Sequence, residues 1–497
     1  MSIPTPPSHT DVDSQTRVAV RNVGWLVAQR VCQTAAAVAF ASLIPRTMGP
    51  AVFGRYALLA SISLWFSVMS GLGAAPLLTR FVPQFLVRGD HAGLKKLVTN
   101  LVVLRMGNSV LSGAIYFLLT ALWLRDLDRV SLALVAATVC VRTGGGLFFT
   151  VFLGLNQAAR WGMGDSIYRI TNVALVFVGY LWGGLRGAFL GLLLAEVVVW
   201  VLGFWWARPY LSRSALRPDR QFLAPFLRFS IGFFFSNLLL TLVNRSGEAM
   251  VRLVSGDYVE VAYFGLAFSA YLTAGQAIWR LALSLAPLLT LLAEKGEKRR
   301  LRNWIEQSLK WYGIAAVVAC FTILLVGDEL IRLVLGSRYG PVTMRLIPLT
   351  AALLFLGPAH ISRLVAVACN QPGIAWKSAS IQLALFWGVG PLLIHYTGSL
   401  GACLAVLLAC AVYSAYATWR MRTALAYSIR RWALVVALGA AFLPLVALRS
   451  SSVIDFLLYA CFGVGYLLLL SRFHLVSWQE IRGFREAFRS PASVAEA

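Results

Sequence analysis

This sequence predicts an all-α polytopic membrane protein, and three observations predict it. Hydrophobic residues make up 59% of the 497 and charged residues 13%, with a mean hydropathy of +0.75. A soluble chain of this size has no interior able to hide that much apolar surface, so lipid is the expected solvent. The apolar residues gather into about fourteen stretches long enough to cross a bilayer, and the second half of the chain repeats the first.

The repeat is read from residues in one register. Gly49, Tyr56, Gly89 and Asp90 recur 207 positions later as Gly256, Tyr263, Gly296 and Glu297. The dyad Asn156-Gln157 recurs 214 positions later as Asn370-Gln371, and GLRGAFLGLLLA at 184–195 returns as GSLGACLAVLLA at 398–409. One such match is unremarkable; several at a shared offset with one seven-residue slip predict two similar lobes. Two lobes around a central cavity that faces each side of a membrane in turn is a transporter architecture.

The spans are expected near 22–44, 57–79, 97–122, 131–154, 167–183, 187–206, 225–246, 259–292, 309–327, 342–369, 379–396, 400–419, 432–448 and 453–471. Residues 1–206 then form the N-lobe (spans 1–6), 207–221 a basic cytoplasmic linker, and 222–419 the C-lobe (spans 7–12). Six spans per lobe make the repeat parallel. Spans 13 and 14 (420–471) have no counterpart and read as an appendage. The tail at 472–497 reads as a cytoplasmic amphipathic helix, with Ile481, Phe484 and Phe488 on one face and Arg482, Arg485 and Arg489 mostly opposite.

The net charge of +24 points away from nucleic acid once its distribution is read. With the N-terminus inside, 28 Lys or Arg lie in or beside cytoplasmic segments and 11 in or beside outer loops, as the positive-inside rule requires. Both termini are therefore expected in the cytoplasm. Residues 1–20 are polar, so no secretory signal is expected. The seven cysteines fall in apolar segments without CxxC spacing and read as small core residues.

Enzyme chemistry has no foothold. No GxxxxGK[ST] phosphate loop, HExxH or metal-spaced His/Cys cluster occurs, so neither a nucleotide motor, a metal nor a cofactor is expected. Gly144-Gly145-Gly146 lacks a strand-turn-helix setting; within span 4 it serves close packing or admits a bulky ligand. The outer loops are all short, which disfavours a membrane-embedded glycan polymerase or ligase.

The unusual residues are cations inside apolar spans: Arg30, Arg105, Arg142, Arg280 and Arg363. Each costs about 2.5–3.5 kcal/mol at the bilayer centre unless it faces a wet cavity or a partner. Glu196 is the one acidic residue deep in a span, so at most one arginine is expected to be paired with it; it is also the candidate for ion coupling. Arg105 and Arg363 lie near cytoplasmic span ends, where snorkelling serves as well as function. Arg30, Arg142 and Arg280 lie deeper, and the repeat aligns them with Asn237, Leu356 and Gly73. Arg142 and Arg280 are accordingly expected to line the cleft. Unpaired guanidinium groups fit phosphate oxygens bidentately, so these three are the leading candidates for an anionic substrate; structural bonding to helix carbonyls is the alternative.

IPRTMGPAVFGRYALL at 44–59, GLG at 71–73 and RFVPQFLVRGD at 80–90 resemble the N-terminal signature of bacterial polysaccharide and O-antigen flippases. The resemblance extends through the two NQ dyads and the GxxGA starts of spans 6 and 12. These proteins belong to the multidrug/oligosaccharidyl-lipid/polysaccharide exporter superfamily. The resemblance implies two six-helix lobes around a cavity, residence in the bacterial inner membrane, and a cargo of undecaprenyl diphosphate bearing an oligosaccharide repeat unit. It also implies contact with membrane lipids, with a polysaccharide polymerase and with chain-length machinery. A multidrug exporter of the same superfamily is expected to carry more cavity acids than Glu196 alone. A peptidoglycan-precursor flippase fits most of the same features.

Overall fold

In a computed structural model the described residues are 9–476, apart from Asn156, Leu285 and 370–372. The side chains of Arg30 and Arg280 are outside the described set, as are the second NQ dyad and most of the expected tail helix. The described residues form helices and no strand. They divide into two compact units, Met1–Arg252 and Leu253–Ala497.

The first unit runs α1 (His9–Gly71), α2 (Ala74–Val87), α3 (His91–Trp123), α4 (Arg129–Gly154), α5 (Ala158–Ala207), α6 (Arg220–Arg245) and α7 (Gly247–Ser255). Sharp turns are set where the sequence offers a cap. Asp90, Asp128 and Asp219 accept the backbone N–H three residues on, at 2.7, 3.1 and 3.0 Å, and so start α3, α4 and α6. Two helices bend at glycine: α1 at Gly49 (φ 71°, ψ 164°) and α5 at Gly183–Gly184, where Gly184 has φ 57° and ψ −139°. Past the second bend α5 doubles back so closely that Gly179 and Gly187 meet backbone to backbone, with no room for a Cβ on either.

The second unit runs α8 (Tyr258–Ser284), α9 (Ala286–Glu294), α10 (Lys298–Val334), α11 (Val342–Ala368), α12 (Gly373–Thr397), α13 (Ser399–Leu425), α14 (Arg430–Ala440) and α15 (Ser452–Arg472). Its backbone repeats the first. Gly256, Gly296 and Gly398 have φ of 70°, 70° and 62°, against 71°, 67° and 57° at Gly49, Gly89 and Gly184. The turn before α10 copies the turn before α3 bond for bond: Asp90 N donates to Phe85 O and Glu297 N to Leu292 O, each at 3.0 Å. The seven-residue slip falls between these landmarks. α10 has 37 residues where α3 has 33, and the connection that follows is also longer.

Ten helices among the described residues are long and apolar enough to cross a membrane, against about fourteen expected. Two of the four have a structural cause: α1 and α5 each carry two expected spans through a bent glycine as one helix. Expected spans 7 and 8 correspond to α6 and α8, which are not among the ten. Compact packing also divides the chain later than the linker at 207–221. α6 groups with the first unit because Phe226 and Phe229 stack edge-on against Phe81 at 4.8 and 5.4 Å, and Ser230 Oγ donates to Leu72 O at 3.0 Å. The appended α14 and α15 pack on α10 through Phe321 and Phe462, whose centroids are 4.1 Å apart. Arg449, between the two helices, bonds Asp328 at 2.9 Å and Asp455 at 3.2 Å.

Candidate substrate-binding site

Arg142 sits midway along α4, on the face turned to α5 and α1. Two glycines give α4 that close seat: a Cβ on Gly144 would lie 2.6 Å from the Trp200 indole nitrogen, and Gly145 lies against the Trp200 backbone. The triglycine thus serves helix packing, while Gly146 faces open space. The Arg142 Nε donates to Glu196 Oε1 of α5 at 2.5 Å. Its Nη1 reaches Ser63 Oγ of α1 at 3.3 Å and its Nη2 reaches the Tyr168 hydroxyl of α5 at 3.5 Å. Ser63 is wholly buried and Glu196 is 4% exposed. Tyr56, stacked on Phe189 at 5.3 Å, closes the group from the α1 side.

The charge of Arg142 is therefore balanced inside its own unit. Among the described arginines it is the one that Glu196 pairs with, within the single pairing that the count of deep acids allowed. One turn away from Tyr168, Asp165 accepts from Arg169 Nε at 3.1 Å and from Gln29 Nε2 at 2.9 Å, beside Arg30 in sequence. Arg105 of α3 lies against Gly71 at the end of α1, and its Nε is buried without a hydrogen-bond partner. Arg363 of α11, in the second unit, likewise has a buried Nε without one. So the described structure joins Arg142 with Glu196, gives Arg105 and Arg363 no ion pair among the described residues, and does not describe the side chains of Arg30 and Arg280.

Ser63 and Tyr168 were missed by reasoning from charge alone. The repeat held the signal. At offset 214, Glu196 falls on Cys410, Tyr168 on Gln382 and Arg142 on Leu356. In the second unit Gln382 Nε2 lies 3.9 Å from Cys410 Sγ, which also bonds the Tyr271 hydroxyl at 3.2 Å, and Leu356 packs on Gly275. Gln382 and Cys410 thus meet as the counterparts of Tyr168 and Glu196, and the counterpart of Arg142 is the apolar Leu356.

Residues 19–291 match the model of a family described as polysaccharide biosynthesis protein. The lipid III flippase of Escherichia coli K12 is 24% identical over 332 residues, covering 63% of this chain and 77% of that protein. A probable low-salt glycan biosynthesis flippase of Haloferax volcanii, Agl15, is 25% identical over 187 residues, covering 35% and 40%. Among solved structures, the inward closed conformation of the lipid II flippase MurJ superposes with a TM-score of 0.66 over 92% of this chain and 99% of that one, at 15% identity. An inward-facing multidrug transporter of the MATE family gives 0.63 over 79% and 94%, at 16% identity.

Proposed function

The chain belongs to the polysaccharide biosynthesis protein family, and on that footing we propose that it flips undecaprenyl-diphosphate-linked oligosaccharide repeat units across the bacterial inner membrane. The repeat units are those of O-antigen, exopolysaccharide or capsule, and they pass from the cytoplasmic to the periplasmic leaflet by alternating access. The observation that carries this reading is the family match over 19–291, joined to relatives named as a lipid III flippase and a probable glycan biosynthesis flippase. Arg142, Arg30 and Arg280, and secondarily Arg105 and Arg363, are the anion contacts in this reading, with Glu196 as the candidate for ion coupling. The multidrug alternative is disfavoured by the first unit, where Glu196 is already neutralised by Arg142 and Asp165 by Arg169.

The test is transport. A diphosphate carries about two charges, each worth about 2.3 kcal/mol per 100 mV, so outward movement is downhill with the interior negative. Proteoliposomes loaded with a fluorescent undecaprenyl-diphosphate oligosaccharide should flip it faster under a potential of that sign. Flipping blind to the sign of the potential would rule out the electrogenic account, and no flipping would rule out the function. The orientation has its own check: cysteines placed in 294–310 should label only in permeabilised inner membranes, and those in 247–258 from the periplasm.

A further inference from the structure

Ser61 of α1 has one hydroxyl proton and two acceptors for it. Its Oγ lies 2.8 Å from Arg245 O, at the end of α6, and 3.1 Å from Glu248 Oε2, at the start of α7. Trp65 Nε1, one turn further along α1, donates to the same carbonyl at 3.1 Å. A carbonyl only accepts, so a Ser61 proton given to Arg245 O leaves the Glu248 oxygen facing a lone pair. That contact is a bond when Glu248 carries a proton of its own. Both contacts of Ser61 are satisfied together only in the protonated form.

The surroundings favour that form. Glu248 is 3% exposed and has no ion pair among the described residues. Arg245, on α6, draws on its charge, and burial outweighs that pull. On its own helix, Arg252 is engaged by Asp126 at 3.0 Å, and α1 faces the carboxyl with the Ser61 hydroxyl. The repeat matches Ser61 with Phe268 and Glu248 with Ala41, neither of which binds a proton, so the shared scaffold has no need of this carboxyl.

We propose that Glu248 is a proton-binding site that latches α7 and the end of α6 to α1 on the outer side of the membrane. With the proton bound, Glu248 donates to Ser61 and Ser61 to Arg245 O, an unbroken chain from α7 through α1 to α6. Without it, one hydroxyl serves two acceptors and a charged carboxylate is kept from water, a costly arrangement that α7 relieves by lifting off α1. The latch is therefore complete below the carboxyl's value in the released form and is lost as pH rises through its docked value. In the orientation that the positive-inside rule sets, 247–258 is periplasmic, and the proton comes from that side. Expected spans 2 and 7, which the repeat assigns to different lobes, are thus tied at their outer ends within the first unit. Opening of a central cleft to the periplasm parts this tie, a consequence that rests on the alternating-access reading.

Hydrogen exchange of the full-length protein in detergent, read on the peptide that spans α7 and corrected for the intrinsic rate, tests the latch from mildly acidic to mildly alkaline pH. Protection of α7 should fall as pH rises, about tenfold for each unit by which docking raises the carboxyl's value. Glu248→Gln keeps a donor to Ser61 without a titrating proton, so it should hold the acid-side protection at every pH. Ser61→Ala removes the partner and should bring acid-side protection down towards the alkaline level. Infrared difference spectra over the same range should show a protonated-carboxyl band that fades in the native protein and is missing in Glu248→Gln. Level protection in the native protein, or the same fall in Glu248→Gln, would overturn the proposal. Should Glu248→Gln not fold, Ser61→Ala decides, and undiminished acid-side protection there overturns it as well. Proteoliposomes that flip no lipid-linked oligosaccharide at any pH would end the flippase reading and leave the latch standing.

Discussion

The two units share a backbone and differ in what they bury. Gly184 and Gly398 take the same left-handed turn, and Glu196 and Cys410 stand at the same point after it. Around that point the first unit buries a guanidinium, a carboxylate and a phenol, whereas the second buries a leucine, a thiol and an amide. The difference teaches that the repeat constrains conformation tightly and side-chain chemistry loosely. Charge in one copy is therefore a better guide to function than anything both copies retain.

The comparison breaks most sharply when one charge is moved. Arg142→Ala leaves Glu196 buried and unpaired, and Cys410→Glu puts an unpaired carboxylate into the second unit; each should cost about 3–5 kcal/mol. Thermal unfolding in detergent should show both losses. If Arg142→Ala melts like the native protein while transport falls, Glu196 has found another partner and the pairing seen here is dispensable.

A second, smaller effect separates the paired glycines. Alanine at either Gly184 or Gly398 forces a side chain into a conformation that costs about 1–3 kcal/mol. Gly398→Ala should be the worse, because its Cβ would lie 2.9 Å from Glu260 Oε2, while that of Gly184 meets nothing within 4 Å. That carboxylate also holds Arg345 at 3.1 Å and accepts from the Ser399 hydroxyl and backbone. Equal melting temperatures for the two variants would remove this steric distinction between the copies.

Glu248 gives a third contrast, since its repeat counterpart is Ala41. It is 3% exposed, accepts from Ser61 Oγ at 3.1 Å, and burial pushes its carboxyl above the usual range against the opposing pull of Arg245. A raised value means that the folded state favours the protonated form. Its contribution to stability is complete below the unfolded value, about 4.3, and is lost as pH rises through the folded one. Glu248→Gln should thus raise the melting temperature at neutral pH and flatten its gain on mild acidification.

The smallest effect belongs to Asp128. Its carboxylate accepts from Arg186 at 2.8 and 3.0 Å, and those bonds hold it below the usual aspartate range. The stability it adds is present above the unfolded value, about 3.9, and lost as pH falls through the depressed one. Asp128→Asn should change melting slightly at neutral pH and shrink the loss seen at the acid end.

Much of this was legible in the sequence for a physical reason. Glycine is the residue that adopts positive φ without strain, so the turns of the repeat announce themselves as Gly49/Gly256, Gly89/Gly296 and Gly184/Gly398. The pairing of Arg142 with Glu196 was less legible. Counting deep acids limited the pairs to one, but which arginine takes it depends on how α4 and α5 are rotated, and that is set by Gly144 against Trp200. Tyr168 carries no charge and drew no notice, although its alignment with Gln382 was available. The grouping of α6 with the first unit was not legible at all, because the repeat assigns it to the second lobe and only the rings of Phe81, Phe226 and Phe229 say otherwise.

The break between α1 and α2 gives the second span a joint. α2 is fastened to α6, with Phe81 on Phe226 and the Arg80 guanidinium 4.4 Å over the ring of Phe229, and to α4, where Gly154 meets Leu78 O and Val82. α1 packs on α4 and α5 and also bonds α6, with Ser61 Oγ and Trp65 Nε1 both donating to Arg245 O. Between them Leu72 rests at φ 46°, a conformation that costs an L-residue energy. Spin labels on α2 should keep their separations from α4 and α6 through a transport cycle; a change in either would mean that the joint turns.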